Sequence, residues 1–121
     1  MKTCLVVDDS DIVRKVARRI LEILNFQATE AEDGQQALDS CKVAMPEAIL
    51  LDCQMPHMGS TDFLTSLRAL EEGGKPIVIY CATENDTGDI SRALTAGADD
   101  YVMKPFDRET IRAKLAAAGL L

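Results

Sequence analysis

The stretch ILLDCQMPHMG, residues 49–59, decides the fold. An apolar run ends on one carboxylate, Asp52, and the chain then turns at Met55-Pro56. A strand that is covered on both faces of a parallel sheet reads as a continuous apolar run, and its carboxyl end opens into the crevice where open α/β sheets bind ligands. A single aspartate at this position is compatible with three roles: a surface residue, a metal ligand or a nucleophile. The surrounding sequence has to distinguish these three roles.

Composition limits the classes of protein to which the chain can belong. Its 121 residues predict one domain spanning residues 1–121, and 47% hydrophobic with 27% charged residues is typical of a soluble globular protein. The formal net charge of −7 argues against a general affinity for nucleic acid or anionic membranes. No apolar run approaches the roughly 20 residues that span a bilayer, and the first residues do not follow the pattern of a signal peptide. We therefore expect a cytoplasmic protein.

The cysteines and the single histidine do not form a recognisable metal site. No C-x-x-C motif occurs, and His57 is the one imidazole, which disfavours a zinc site. We expect a surface role for His57. An alternative role for Cys53 in sensing oxidants follows only from its position next to Asp52. Reduced thiols that behave as small hydrophobic side chains are the prediction for Cys4, Cys41, Cys53 and Cys81.

Short β-branched runs alternate with segments of helical periodicity. Strands are predicted at residues 3–7, 27–31, 47–51, 76–82 and 99–103, and helices at 10–24, 33–44, 60–70, 87–96 and 107–119. The helical spacing of the first helix is carried by Val13, Val16, Ala17, Ile20, Leu21 and Leu24. Asn25, Gly73-Gly74 and Gly97 suit helix ends, and Asp107 suits an N-cap. Right-handed crossovers turn this (βα)5 pattern into an α/β three-layer sandwich with one parallel sheet.

Charged residues follow three of the predicted strands. Asp8 and Asp9 follow the first strand, Asp52 the third, and Lys104 follows the fifth. Since the carboxyl ends of parallel strands share one edge, we expect these groups to converge. Two carboxylates about 5 Å apart repel by roughly 3 kcal/mol at an effective dielectric constant of 20, so three of them need a cation, and Mg2+ suits such oxygen ligands. An aspartate beside Mg2+ and a lysine can accept a phosphoryl group. Helix capping is the alternative role for the first pair.

Three motifs give the chain a family resemblance. VVDDS (6–10), DCQMPHM (52–58) and AGADDYVMKPF (96–106), with the (βα)5 layout between them, resemble the receiver domain of two-component response regulators. The resemblance extends over the whole sequence and implies a flavodoxin-like sheet with strand order 2-1-3-4-5. Because the sequence stops after the fifth helix, we expect it to be similar to stand-alone, chemotaxis-type members without an output domain.

The resemblance implies a role for each charged residue at the predicted edge. Asp52 matches the phosphoryl acceptor, which receives its group from a phosphohistidine on a sensor histidine kinase or a phosphotransfer protein. The implied Mg2+ ligands are Asp9, which binds directly, Asp8, which acts largely through water, Asp52, and the backbone carbonyl of Gln54. Lys104 matches the lysine that contacts the phosphoryl group. The implied chemistry is limited to the domain's own phosphorylation and dephosphorylation, so we expect a signalling domain and not an enzyme.

Other residues are implied to shape and transmit the signal. The Lys104–Pro105 bond resembles the family's cis peptide. Tyr101 matches an aromatic side chain that turns inward on activation, with an ordinary half-exposed strand residue as the alternative. A downstream protein is implied to bind the face of the fourth helix, fifth strand and fifth helix. Gln54 and Glu84 flank Asp52 in this geometry, and we expect them to tune hydrolysis of the acyl phosphate.

The sequence departs from the family pattern at Ala82. Receivers usually carry serine or threonine there, whereas this chain has its hydroxyl one residue later, at Thr83. Adjacent strand side chains point to opposite faces, so Thr83 is not expected to reach the phosphoryl group without a local backbone shift. A hydrogen bond to a charged group is worth roughly 1.5–3 kcal/mol, and its loss predicts weaker coupling of phosphorylation to Tyr101. A second departure, Gly59-Ser60, affects the start of the third helix.

Four basic residues mark the polar side of the first helix: Arg14, Lys15, Arg18 and Arg19. A solvated face is the simplest interpretation. The resemblance implies that this helix docks against the helical bundle of a kinase, in which case the cluster would steer association. We expect protein partners only, with no nucleic acid and no membrane, and a monomeric chain.

Three other functions stay open. Ala82 suggests a phosphate sink or an interaction module that is uncoupled from phosphorylation. A small Mg2+-dependent phosphohydrolase would use the same carboxylates, but no segment suits a cap or a substrate pocket. A flavin carrier is disfavoured, because carboxylates follow the first strand where a hydroxyl-rich phosphate loop would be needed.

Overall fold

The structure is a computed structural model that describes residues 1–84 and 87–121. Strands and helices alternate along the described chain: β1 (Thr3–Val7), α1 (Asp11–Ile23), β2 (Gln27–Ala31), α2 (Gly34–Val43), β3 (Ala48–Asp52), α3 (Ser60–Ala69), β4 (Ile77–Ala82), α4 (Thr87–Ala96), β5 (Asp100–Met103) and α5 (Arg108–Ala117). Their order confirms the predicted (βα)5 architecture.

The strands form one parallel sheet in the order β2-β1-β3-β4-β5. The chain runs outward from β1 to β2 and then returns to place β3 on the other side of β1, so the direction of strand addition reverses between β1 and β3. A crevice opens at such a reversal, at the carboxyl ends of the two strands. The topology therefore brings the ends of β1 and β3 together as neighbours.

Alternating residues of the strands pack into two separate hydrophobic cores, one on each face of the sheet. On one face Leu5, Ile49 and Val78 pack with residues of α2, α3 and α4. On the other face Val6 and Leu50 pack with residues of α1 and α5. All five residues of β3 are buried, which explains why this strand reads as a continuous apolar run and why a carboxylate at its end requires polar partners.

The observed boundaries correct three details of the prediction. β3 extends through Asp52, which lies opposite Cys81 in the ladder with β4. α3 ends at Ala69 and not at the two glycines. The left-handed conformation in the following turn falls on Glu72 (φ 61°), while Gly73 is required because a Cβ there would overlap the carbonyl oxygen of Leu67. Asn25 (φ 67°) and Gly97 (φ 130°) adopt left-handed conformations after α1 and α4, as predicted.

α1 buries most of its predicted apolar face, but it also buries a charged residue and leaves one apolar residue of that face exposed. The buried positions are Arg14, Ala17 and Leu21, whereas Val16 is 48% exposed. Arg14 is therefore wrongly placed in the predicted solvated cluster. Its burial follows from ion pairs with Asp11 and Glu30, which satisfy the guanidinium inside the fold.

The cysteines behave as predicted. None of the four is joined in a disulfide; Cys4, Cys41 and Cys81 are buried and Cys53 is half-buried. Burial raises the pKa of Cys4 to about 12 and that of Cys41 to about 11, so both stay protonated at neutral pH. His57 is exposed and has a positive φ of 68°. In the described parts of the chain, none of the helices has the length and apolar character needed to cross a membrane.

Candidate functional site

Three carboxylates gather where β1 and β3 end. One oxygen from each of Asp8, Asp9 and Asp52 lies within 4.8 Å of the other two. Asp8 and Asp52 are buried and Asp9 is exposed, so the group has one open side. β1 ends one residue before Asp8, and the pairing of β1 with β3 brings the two strand ends together. Ser10 is the N-cap of α1, since its side chain accepts from the Val13 N–H, and Asp8 accepts from the Ser10 N–H. Capping therefore does not account for the convergence of Asp9 and Asp52 with Asp8.

Lys104 supplies the cation nearest to these carboxylates. Its Nζ donates to Asp52 Oδ1 at 2.6 Å and to Asp8 Oδ2 at 2.8 Å. Burial by itself would lower the pKa of Lys104, but the hydrogen bonds to Asp52 and Asp8 outweigh that effect and the pKa is raised. The backbone of Lys104 is fixed as well, since its N–H donates to the Ala82 carbonyl at 2.7 Å and the following bond to Pro105 is cis. Lys104 is therefore held charged and in place.

The environment of Asp52 disfavours the ionised form of its carboxyl group. Burial raises its pKa, the hydrogen bond from Lys104 opposes that effect, and the nearby charge of Asp8 raises it further. The N–H of Gln54 also donates to the Asp52 carboxylate. One ammonium thus faces three carboxylates, which leaves negative charge that a further cation would stabilise.

These residues fit a small, hard cation. Mg2+ binds through one or two carboxylates, keeps several water molecules and prefers oxygen ligands. Asp8, Asp9 and Asp52 offer such oxygens around one open side. The backbone carbonyl of Gln54 follows the same strand end and stays a prediction as a ligand. At this site Mg2+ would supply charge neutralisation for phosphate oxygens.

Two residues that sequence reasoning did not assign hold the site from outside. Arg14 donates to the backbone carbonyl of Asp8 at 2.6 Å. Ser60, the first residue of α3, donates its hydroxyl to the carbonyl of Asp52 at 2.8 Å. The spacing of Arg14 with Ala17 and Leu21 places it on the buried side of α1 but does not reveal its partner on β2. Gly59-Ser60 marks the start of α3 without revealing the bond to Asp52.

The residues implied to transmit the signal lie on and beyond β4 and β5. Ala82 is the last residue of β4 and is fully buried, and Thr83 is half-buried just past the strand. Glu84 is exposed. Tyr101 on β5 is 38% exposed, and the Lys114 ammonium lies 5.3 Å from its ring centroid. The structure therefore places Tyr101 on the outer surface.

Comparisons with known proteins agree with this fold. The model of the response regulator receiver domain family matches residues 4–116. The DNA-binding response regulator MtrA of Mycolicibacterium smegmatis is 38% identical over 113 residues, which are 93% of this chain and 48% of that protein. The chain thus spans about half the length of the curated relatives it matches.

Two solved structures are similar over nearly their whole length. The receiver domain of the sensor histidine kinase PA1611 from Pseudomonas aeruginosa, with magnesium coordinated in its active site cleft, has a TM-score of 0.88 and 30% identity and covers 96% of this chain and 95% of that one. The chemotaxis response regulator CheY4 of Vibrio cholerae has a TM-score of 0.89 and 26% identity, with coverage of 97% and 98%.

Fold and site together define an α/β signalling domain with an acidic site at one edge of its sheet. The chain belongs to the response-regulator receiver family. Receiver domains are signalling domains that interact with histidine kinases or phosphotransfer proteins and bind Mg2+ at an acidic site.

Proposed function

We propose that this chain accepts a phosphoryl group on Asp52 in a Mg2+-dependent reaction and signals by a change in partner binding. The donor is a phosphohistidine on a sensor histidine kinase or a phosphotransfer protein. The observation that carries the proposal is the hydrogen bond from Lys104 to Asp52, made beside the carboxylates of Asp8 and Asp9. These are the groups that position a nucleophilic carboxylate and offset charge on the transferred group.

The residues divide the chemistry between them. An Asp52 oxygen attacks the phosphorus atom, forming a P–O bond while the P–N bond to the donor imidazole breaks and the imidazole leaves. Lys104 already touches Asp52 and can shift its hydrogen bond to an oxygen of the arriving phosphoryl group. Asp8, Asp9 and Asp52 are the proposed ligands of Mg2+, together with the backbone carbonyl of Gln54. Gln54 and Glu84 are proposed to govern water access to the acyl phosphate.

An apolar groove next to the site supports docking of the donor. A groove of about 310 Å3 between α1 and the segment after β5 is lined by Ile12, Val13, Val16, Lys104, Pro105 and Phe106. Ile12 and Val16 are 74% and 48% exposed, so this wall of the groove presents a contiguous apolar surface to solvent. Because Lys104 lines both the groove and the acceptor site, a helical bundle seated on α1 would bring its phosphohistidine to Asp52. The exposed residues Lys15, Arg18 and Arg19 would then steer the approach.

The proposal is tested by phosphorylation with a small donor. Acetyl phosphate with Mg2+ should add one phosphoryl group to the intact protein, as a hydroxylamine-labile adduct detected by mass spectrometry. Asp52→Asn should abolish the adduct, and the matched control Asp62→Asn, an exposed residue of α3, should retain it. Labelling that persists in Asp52→Asn, or no labelling of the parent with or without Mg2+, would contradict the proposal.

A phosphate sink or an uncoupled interaction module is the second candidate, and Ala82 favours it. A buried methyl group stands where the family hydroxyl would bond the phosphoryl oxygen, so phosphate gains less differential contact with an activated state. If this candidate is right, phosphorylation proceeds normally while Tyr101 and the α4-β5-α5 face stay unchanged. Steady turnover of small phosphate esters would instead point to a phosphohydrolase.

We further propose that the downstream partner binds the α4-β5-α5 face. Tyr101, Met103 and Leu94 leave this face partly apolar, which suits a protein surface. In the simplest form of the proposal the receiver domain acts in the cytoplasm as a monomer and through protein partners, not through nucleic acid or membranes. Cross-linking from Tyr101 in the phosphorylated and unphosphorylated states would identify the partner, and gel filtration would report the oligomeric state.

Hydrolysis of the acyl phosphate provides a separate test of the flanking residues. Gln54→Ala and Glu84→Ala should each change the rate at which phosphorylated protein decays, because both positions border the acceptor in the proposed geometry. Glu71→Ala, an exposed residue between α3 and β4 at the opposite edge of the sheet, serves as the control. Decay rates equal to the parent in both variants would reject this role.

A further inference from the structure

Arg14 is tied to the acidic pair and is not part of the surface of α1. Only 6% of the residue is exposed, so its charge needs partners within the fold. Nε donates to Glu30 Oε1 at 3.0 Å, and one terminal nitrogen forms an ion pair with Asp11. The other terminal nitrogen donates to the Asp8 carbonyl at 2.6 Å. One guanidinium thus joins α1, β2 and the turn that carries the carboxylates.

Each polar atom of Asp8 has a partner. The N–H donates to the Ala31 carbonyl at 3.1 Å. Oδ1 accepts from the Ser10 N–H at 2.9 Å, and Oδ2 accepts from Lys104 at 2.8 Å. The bond from Arg14 is the one that fixes the carbonyl. Because a peptide group is planar, fixing this carbonyl also fixes the N–H of the next residue and the direction in which the chain continues.

That next residue is Asp9, the exposed carboxylate of the cluster. We propose that Arg14 is a positioning residue for the divalent cation site: its guanidinium holds the Asp8–Asp9 peptide in the orientation that lets both carboxylates and Asp52 share one ion. This inference rests on the proposed function, because the cation is the Mg2+ that phosphorylation requires. Groups behind metal ligands that fix ligand orientation contribute strongly to metal affinity.

Charge and positioning predict opposite effects when Arg14 is replaced. Arg14→Met removes a positive charge and leaves Asp11 and Glu30 without it, so electrostatics alone predicts tighter binding of Mg2+. Loss of positioning predicts weaker binding. Arg18 offers a matched control, because it also donates to Glu30, at 2.7 Å, while its described hydrogen bonds do not include Asp8.

The experiment is a calorimetric titration of Mg2+ into the parent, Arg14→Met and Arg18→Met at one pH and ionic strength. Circular dichroism verifies that each protein is folded at the temperature used. We expect the dissociation constant of Arg14→Met to rise about tenfold or more, and that of Arg18→Met to stay unchanged or fall. At saturating Mg2+ the labelling of Arg14→Met by acetyl phosphate should approach that of the parent. If Arg14→Met does not fold, Arg14→Lys takes its place with the same expectation, since lysine keeps the charge but lacks the forked donors.

Two results overturn the proposal while leaving the proposed function intact. One is an Arg14 variant that binds Mg2+ as tightly as the parent, or more tightly. The other is an equal loss of affinity in Arg18→Met, which would place the effect at Glu30 and not at the Asp8 carbonyl. A parent protein that takes up no Mg2+ would instead contradict the proposed function, and with it this inference.

Discussion

Nζ of Lys104 lies 2.6 Å from Oδ1 of Asp52, although 52 residues separate them in the chain. The contact arises because β3 and β5 both direct their carboxyl ends to the same edge of the sheet. Although Asp52 is paired with Lys104, burial and the nearby charge of Asp8 still raise its pKa. The site is therefore arranged to gain stability from added positive charge.

Replacing the acceptor should stabilise the protein without metal. The folded-state pKa of Asp52 is raised, chiefly by burial, so its ionised form is disfavoured by folding at neutral pH. In EDTA at pH 7 we expect Asp52→Asn to increase the free energy of unfolding, because asparagine removes a buried negative charge that lies beside Asp8. Urea denaturation measures the change, with Asp62→Asn as control.

The same substitution has a defined pH dependence. As the pH falls through the raised pKa of Asp52, the parent carboxyl becomes neutral and the advantage of asparagine should shrink. An asparagine variant that is less stable than the parent at pH 7 would contradict the assignment of the buried charge.

Restoring a hydroxyl at the end of β4 should restore conformational coupling. With beryllofluoride and Mg2+ as a phosphoryl mimic, Ala82→Thr should move Tyr101 further from its exposed position beside Lys114 than the parent does. The new side chain enters a fully buried position, so we expect it to cost about 1–3 kcal/mol of stability without the mimic. Fluorotyrosine NMR at Tyr101 reports the movement, with Thr83→Ala as control. Equal movement in parent and variant would show that coupling does not need this hydroxyl.

The ion pairs of Glu30 should make stability depend on acid. The hydrogen bond from Arg18 lowers the pKa of Glu30, and the bond from Arg14 adds to the effect against the opposing influence of burial. A lowered folded-state pKa contributes stability above the unfolded pKa of about 4.3, which is lost as the pH falls through the folded value. Glu30→Gln should therefore lower the free energy of unfolding at pH 7 by about 1–2 kcal/mol.

The difference between Glu30→Gln and the parent should disappear in acid. Unfolding curves recorded from pH 7 down to the acid limit of folding measure it. Glu32→Gln, an exposed neighbour without a described ion pair, should show no such difference. A constant difference across the series would mean that Glu30 acts through packing and not through charge.

The turn after α3 contains a residue in a conformation that suits glycine. Glu72 has φ of 61°, and this backbone conformation costs a residue with a Cβ about 1–2 kcal/mol. Glycine avoids this strain, but ordering its more flexible backbone on folding costs about 0.5–1 kcal/mol. Glu72→Gly should thus stabilise the protein by about 0.5–1 kcal/mol by this difference. Thermal unfolding measures the gain. Glu71→Gly, with no positive φ to relieve, should destabilise the protein instead.

Much of the fold could be predicted because its signals are local. β3 is buried on both faces and keeps an uninterrupted apolar run, and Asp107 caps α5 by accepting from the Thr110 N–H as its position suggested. The cis bond at Lys104–Pro105, implied by the resemblance, is present. Boundaries were less predictable where a turn conformation fell on Glu72 and not on a glycine, since the chain path after α3 depends on contacts with Leu67 and Leu70.

The carboxylate cluster was predictable, but its supports were not. Strand order by itself places Asp8, Asp9 and Asp52 at one edge of the sheet, independently of the side chains that surround them. The burial of Arg14 depends on Glu30, which reaches it from a separate strand. Periodicity on α1 reports spacing along one helix and cannot report a partner of opposite charge on β2.

Sequence by itself determined the alternation of strands and helices, the acidic ends of β1 and β3, and the missing hydroxyl at Ala82, because each is a property of neighbouring residues or of strand ends. Only the tertiary structure decided that Arg14 is buried, that the Ser60 hydroxyl holds the Asp52 carbonyl, and that Ile12 lies open beside Lys104. The physical reason is that burial and pairing of a polar side chain depend on groups distant in sequence, whose approach is fixed only when the sheet and its helices have packed.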